Sequence, residues 1–209
     1  LITITRSLAR QFRAVARKAG GKSTAGQQPL IHLIAAADGL RIRAKTQNAA
    51  VEHFVAGNFP AEEFAVSIDA LADVEGRGSD LVELESPGGA QRITAKWSDR
   101  GIPQLTTYEA PDKKHAAVIH PPLPDKLSAS GPELWPALRH ACKTAAVDAT
   151  RYALNCLQLR GDRGQVVSTD GQQVLRQGGF TFPFADTVLI PVNGALGCQE
   201  LEGQDPIQV

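Results

Sequence analysis

The sequence predicts an α+β fold with largely antiparallel sheet, built twice over. Three observations carry this. Short runs that alternate apolar and polar residues outnumber helical patterns. Two helical segments 126 residues apart carry the same apolar stripe, position for position. The strand-like runs behind each helix recur at offsets of 122 to 125 residues, so the chain reads as an internal duplication of helix, strands, short helix and further strands.

Taken in order, Leu1–Thr5 alternates and reads as a strand. Residues 7–19, SLARQFRAVARKA, read as a helix, with Leu8, Phe12, Val15, Ala16 and Ala19 at helical spacing and Gly20-Gly21 as its stop. Leu30–Ala37 is continuously apolar. Leu40–Lys45 alternates, with Leu40, Ile42 and Ala44 on one side and Arg41, Arg43 and Lys45 on the other. Asp38-Gly39 between these runs is a hairpin signal. Val51–Val55 and Phe64–Ile68 read as strands and Asp69–Val74 as a short helix. Leu81–Glu85 and Gln91–Trp97 flank a second hairpin at Pro87-Gly88-Gly89, and Gln104–Tyr108 is a further strand. Residues 109–127 hold Pro111, Pro121, Pro122 and Pro124, which marks a boundary. The expected organisation is a first domain over 1–110, a Pro-rich linker over 111–127 and a second domain over 128–209.

The second unit restarts with Ser130-Gly131-Pro132-Glu133, which has the form of a capping box. The helix behind it, near Leu134–Ala146, has Leu134, Leu138, Ala141, Cys142 and Ala145 on its apolar side. These are Leu8, Phe12, Val15, Ala16 and Ala19 advanced by 126. Leu154–Leu159 and Gln165–Thr169 mirror Ile31–Ala36 and Ile42–Thr46 at 123, Val188–Ile190 mirrors Val66–Ile68 at 122, and Asp205–Val209 mirrors Asp80–Leu84 at 125.

Among 209 residues, 22 Lys+Arg balance 22 Asp+Glu, and an apolar share of 43% is that of an ordinary globular chain. No apolar run approaches the roughly eighteen residues of a membrane span, and Leu1–Arg6 has no signal-peptide character. Cys142, Cys156 and Cys198 form no CxxC, which argues against a disulfide framework or zinc site and fits a reducing cytoplasm. The zero net charge hides an asymmetry. Residues 1–45 carry nine cations (Arg6, Arg10, Arg13, Arg17, Lys18, Lys22, Arg41, Arg43, Lys45) against Asp38, while residues 46–90 carry nine acids against Arg77. Either one face is made for a polyanion and another is acidic, or folding mixes the charges in space.

Motifs for a reaction are missing. Gly21-Lys22-Ser23-Thr24 looks like the end of a P-loop, but Ala16 stands where the motif needs Gly and a helix precedes the loop. His32, His53, His115, His120 and His140 have no metal-binding spacing, and His32 and His53 fall in strands, where a satisfied structural histidine is expected. No GxSxG or GxGxxG occurs. The sequence therefore names no catalytic residue, metal site or cofactor.

Thr150–Gln173, TRYALNCLQLRGDRGQVVSTDGQQ, resembles the second-domain stretch of the bacterial sliding clamp, the DNA polymerase III beta subunit. That stretch is an RYxLNG-like strand, a turn, and a strand ending in TDGHRL. Val188-Leu189-Ile190-Pro191 is similar to the family's VIVP-type strand, and Ala44-Lys45-Thr46-Gln47-Asn48 to its ATDLE-like stretch. Cys156 stands at the family's Gly, and Gln172-Gln173 at its His-Arg.

The resemblance implies two duplicated DNA-clamp domains with helices on one face of the sheets, cytoplasmic location and no cofactor. Its implied partners are duplex DNA held without regard to sequence, and DNA polymerase, clamp loader and repair proteins bound through short peptides. The full-length protein would form a homo-oligomeric ring. Arg10, Arg13 and Arg17 form a stripe on the first helix, and Arg139 and Lys143 lie at i, i+4 on the second. With Lys22, Arg151 and Tyr152 they are the residues the resemblance turns toward DNA. A sliding ring holds phosphates without reading bases, which suits such cations. Each of them alone is an ordinary solvated charge; repetition on equivalent helices favours the DNA reading. The partner-peptide pocket maps to Leu154, Thr169, Gly171, Gln172, Gln173 and Val174, with the two Gln residues expected to weaken family-like peptide binding.

Two other readings compete: a clamp-fold scaffold that binds proteins but does not encircle DNA, and a small-molecule enzyme on a duplicated α+β fold. Salt-dependent DNA binding separates the first from the clamp, and a polar ligand-sized pocket would mark the second. The second unit stops at the counterpart of Leu84, so a fragment of a longer protein with an unpaired edge at Ile207–Val209 is expected. A two-domain subunit that closes as a trimer is the alternative.

Overall fold

The computed structural model describes residues 1–20, 29–46, 49–86, 92–111, 119–124, 126–146, 153–201 and 207–209. The chain divides into two compact units, Leu1–Pro121 and Pro122–Val209. The first runs β1 (Ile2–Thr5), α1 (Arg6–Gly20), β2 (Leu30–Ala36), β3 (Gly39–Lys45), β4 (Ala50–Ala56), β5 (Glu62–Ser67), α2 (Ile68–Val74), β6 (Leu81–Glu85), β7 (Arg92–Asp99) and β8 (Ile102–Glu109). Its strands form two antiparallel sheets, ordered β1-β6-β7-β8 and β4-β3-β2-β5.

Alternation decides what these strands bury. Ile31, Leu33 and Ala35 on β2 and Leu40, Ile42 and Ala44 on β3 are buried, and Arg41 and Arg43 point the other way. α1 buries Ala9, Phe12, Val15, Ala16 and Ala19. Both sheets and both helices share one core that includes Ile2, Leu84, Ile93, Phe12 and Leu71; burying each large side chain contributes roughly 1.5–3 kcal/mol. The predicted hairpin closes with Ala36 opposite Gly39. Ile68, read from the sequence as the end of a strand, instead opens α2. The Ser67 hydroxyl accepts from Ala70 N at 3.3 Å and caps the helix there.

One side chain staples the ends of α1, α2 and β7 together. Arg6 donates from Nε to Val74 O (3.1 Å), from Nη2 to Glu75 O (3.0 Å), and from Nη1 to Ser98 O (3.0 Å) and Asp99 Oδ1 (2.8 Å). A guanidinium on the final carbonyls of α2 also complements the negative end of its dipole.

The second unit holds α3 (Leu134–Thr144), β9 (Cys156–Arg160), β10 (Gln165–Thr169), β11 (Val174–Gly178) and β12 (Thr187–Pro191), with the antiparallel order β11-β10-β9-β12. Leu134, Ala137, Leu138 and Ala141 of α3 pack with Leu157, Leu159 and Val166. The duplication extends to backbone register. In the first unit Ile2 pairs with Leu84 and Ile4 with Val82. In the second, Ser128 and Val209 exchange two hydrogen bonds of 2.9 Å, and Ser130 N donates to Ile207 O at 2.7 Å. These are the same pairs advanced by 126 and 125.

That register explains why the capping box does not form. Ser130 takes the place of Ile4 in a ladder, its hydroxyl is buried with no partner among the described residues, and α3 starts after Glu133, which makes no side-chain cap. The sequence comparison at 123 is also out of phase. Leu157, Leu159 and Val166 face the core, so the counterparts of Ile31, Leu33 and Ile42 must lie at an even offset, because a one-residue slip turns every side chain to the other face. Leu154, expected in a strand, lies in a turn over Ala153–Asn155. Ala153 is left-handed there (φ 68), and Leu154 O accepts from Ala146 N at 2.9 Å. Edge strand β11 has no clear sequence signal, since its residues alternate only between exposed and half-buried.

The β9–β10 connection depends on glycine. Gly164 is left-handed (φ 57), its carbonyl accepts from Phe180 N at 3.1 Å, and a Cβ there would fall 2.0 Å from Phe180 O. Left-handed backbone alone costs an alanine about 1–2 kcal/mol. Gly164→Ala is therefore expected to destabilise the second unit by at least that much, read as a lower denaturation midpoint at constant slope; an unchanged midpoint would show that the 180–186 segment yields freely.

Among the described residues no helix is long and apolar enough to cross a membrane, and no group of three His, Cys, Asp or Glu could hold a metal ion. His53 is exposed. His32 is buried, and its Nε2 has no hydrogen-bond partner among the described residues, contrary to the satisfied histidine expected from the sequence.

Candidate functional site

The amphipathic spacing of α1 turns Arg10, Arg17 and Lys18 outward, and all three are exposed. Arg13 differs. It is half-buried, and its Nη1 meets Glu75 Oε1 and Oε2 at 3.0 and 3.1 Å, so part of its charge is already answered at the end of α2. On α3, Lys143 is exposed and Arg139 half-buried. The repeat offset of 126 carries Arg13 onto Arg139 and Arg17 onto Lys143, and each pair matches in exposure. Arg10 maps onto Pro136, an exposed residue without charge. Lys22, Arg151 and Tyr152, and the P-loop-like Gly21–Thr24, lie outside the described residues.

The charge asymmetry of the sequence is partly cancelled by folding. Arg6 pairs with Asp99, Arg13 with Glu75, Arg41 with Asp38 and Arg43 with Glu52. Two of these partners, Glu75 and Glu52, come from the acidic segment 46–90. Glu75 could not be found from sequence pattern, because it lies 62 residues from Arg13.

Five of the six residues mapped to a peptide pocket, Thr169, Gly171, Gln172, Gln173 and Val174, occupy one well-braced turn and the start of β11, and Leu154 lies beside it. Thr169 Oγ1 donates to Gln173 O (2.6 Å) and accepts from Gly171 N (3.0 Å). Asp170 Oδ1 accepts from Gln172 N and Gln173 N, both at 2.9 Å. These backbone N–H groups, Gln173 first, hold the Asp170 carboxyl below its ordinary range. Asp170 is the residue that sequence reasoning passed over, although Thr-Asp-Gly is itself a turn signal. Gly171 is at φ 92, and a Cβ there would meet Leu154 Cδ1 at 3.7 Å, so Leu154 lies beside the bare backbone of the turn. Leu154 is half-buried and Val174, at the start of β11, is 71% exposed. Both glutamines are exposed, and Gln173 Nε2 donates to Asp170 Oδ2 at 3.2 Å. The turn thus offers apolar side chains beside a rigid, anion-braced backbone.

No protein-family model and no curated protein sequence matches the chain. Solved structures do. A sliding clamp (DNA polymerase III subunit beta) of Pseudomonas aeruginosa, bound to griselimycin, superposes with a TM-score of 0.72 at 17% identity over 99% of this chain and 58% of its own. The DNA polymerase sliding clamp of Bacillus subtilis gives 0.72 at 14% identity with the same coverage. Caulobacter crescentus pol III beta gives 0.69 at 18% identity over 90% of this chain and 54% of its own. The likeness is one of fold: the α+β, antiparallel architecture is that of sliding clamps. The chain spans about 58% of the length of the clamps it matches first.

Proposed function

We infer that the chain is a DNA sliding clamp subunit, or the part of one that these residues form, and that it acts without catalysis. It would hold duplex DNA by its phosphates and tether replication proteins to the template, raising their effective concentration there. The observation that carries this is the matched exposure of Arg17 with Lys143, and of Arg13 with Arg139, on helices related by the internal repeat. The clamp fold supports it. Cations of this kind meet phosphates loosely and read no bases, as sliding requires. Encircling DNA calls for further domains or further copies in a ring, since the chain spans little more than half of its structural neighbours.

Two observations favour a scaffold that has given up DNA. Arg13 is engaged by Glu75, and Pro136 stands at the repeat position of Arg10, so the stripe is thinner than the sequence suggests. Fluorescence anisotropy with unrelated duplexes distinguishes the two. A clamp subunit binds them alike, with a log affinity that falls linearly with log salt. Absence of binding at low salt would leave the scaffold.

For protein partners the reading assigns the turn Thr169–Val174 with Leu154. A peptide with a clamp-binding motif is expected to bind weakly, because Gln173 is held by Asp170 and the family's cationic position is neutral here. Calorimetric titration checks this; tight binding would show that neither change matters.

A further inference from the structure

The outer face of the sheet β4-β3-β2-β5 carries a polar row that the DNA reading does not use. In register, His32 on β2 lies beside Arg43 on β3, and Arg43 beside Glu52 on β4, with which it is ion-paired. On the other side β5 places Ala65 next to His32. A segment from beyond β8 lies over this row. The His120 ring meets the His32 ring edge-on, with centroids 5.1 Å apart and planes at 76°. Lys45 Nζ donates to Ile119 O at 2.8 Å. His32 is only 5% exposed, and Nε2 of both rings is buried without a hydrogen-bond partner among the described residues.

Such a contact suits two neutral rings. Edge-to-face packing of neutral aromatic rings is favourable. An imidazolium at either position would be desolvated against another ring that can also become charged, with Arg43 and Lys45 close by. The facing anions are Glu63 on β5 and Glu52 on β4, and Glu52 is already taken by Arg43. We propose that His32 and His120 form a pH-sensitive clasp that holds residues 119–120 against the outer face of the β4-β3-β2-β5 sheet at neutral pH and releases them in acid. The second unit begins at Pro122, so the clasp sets where the connecting chain leaves the first. This inference does not depend on the DNA reading.

The direction of the pH effect follows from linkage. Burial is the largest cause holding both rings below 6.5; Arg43 lowers His32 further while Glu63 opposes, and His32, Arg43 and Lys45 lower His120 while Glu52 opposes. The released segment therefore binds more protons than the clasped one. The clasp is stable above about pH 6.5 and weakens as pH falls below it.

Proton NMR on the whole chain tests this. Ring-to-ring NOEs between His32 and His120 are expected at pH 7.5 and lost by pH 5.5, while the amide signals of β2 and β3 keep the dispersion of folded strands. His120→Phe keeps a ring at that position without the titration, so its contact with His32 should survive at pH 5.5. NOEs that persist in the unaltered protein at pH 5.5 would overturn the clasp. So would their loss only together with the β2 and β3 signals, which would mean general unfolding, or loss in the His120→Phe variant at the same pH.

Discussion

Arg6→Ala is expected to destabilise the first unit by about 2–4 kcal/mol, the range for breaking a largely buried, charged hydrogen-bond cluster. The Arg6 side chain is 12% exposed and serves the carbonyls of Val74, Glu75 and Ser98 as well as Asp99. Removing it leaves three backbone acceptors without their charged donor and opens a gap between α1, α2 and β7. Water can partly repair the loss from the Asp99 side, whose carboxylate is 50% exposed, and this keeps the expected cost below the sum of four such bonds. Arg6→Lys should recover less than half of it. A lysine keeps the charge, but its single nitrogen cannot span carbonyls on two elements as the planar fork does. Denaturant titration of the first unit's transition measures the effect as a shift in midpoint at constant slope. A change below about 0.5 kcal/mol, the scale of ordinary surface substitutions, would show that the staple is ornamental.

Removing Arg10, Arg17 and Lys143 together is expected to cut duplex affinity at low salt by tenfold or more. The slope of log affinity against log salt should fall by about two to three, since each lost phosphate contact removes about 0.9. All three side chains are exposed on helix surfaces, so their replacement by Ala should leave the fold intact. Arg13 makes a poor substitute in this experiment because Arg13→Ala would also break its pair with Glu75 and mix stability with binding. The loss should be the same for duplexes of different sequence, because phosphate contacts carry no base information. An unchanged slope and affinity in the triple variant would remove these residues from any DNA-binding surface.

Much of the architecture was legible because it is encoded over short distances. The α1 helix needs only the spacing of Leu8, Phe12, Val15, Ala16 and Ala19, and the structure places it over Arg6–Gly20. The β2–β3 hairpin needs an apolar run, a turn at Asp38-Gly39 and an alternating run, and the repeated helix stripe is visible across 126 residues. The outward positions of Arg10, Arg17 and Lys143 follow from the same periodicity.

Tertiary structure decided what periodicity leaves open. Strand phase was one such matter: the apolar runs at Ile31–Ala36 and Leu154–Leu159 align well by composition at 123, but burial of Leu157 and Leu159 selects an even offset. Ser130 has the sequence context of a helix cap, and a ladder with Ile207 and Val209, nearly eighty residues away, claimed its backbone instead. The staple at Arg6, the pairing of Arg13 with Glu75 and the contact of His32 with His120 join residues 62 to 93 positions apart or sit on segments with no pattern of their own. Local propensity acts over one turn of helix or one step of strand, so it places a side chain on a face. Which charge, carbonyl or ring waits on that face is settled only when distant segments pack together.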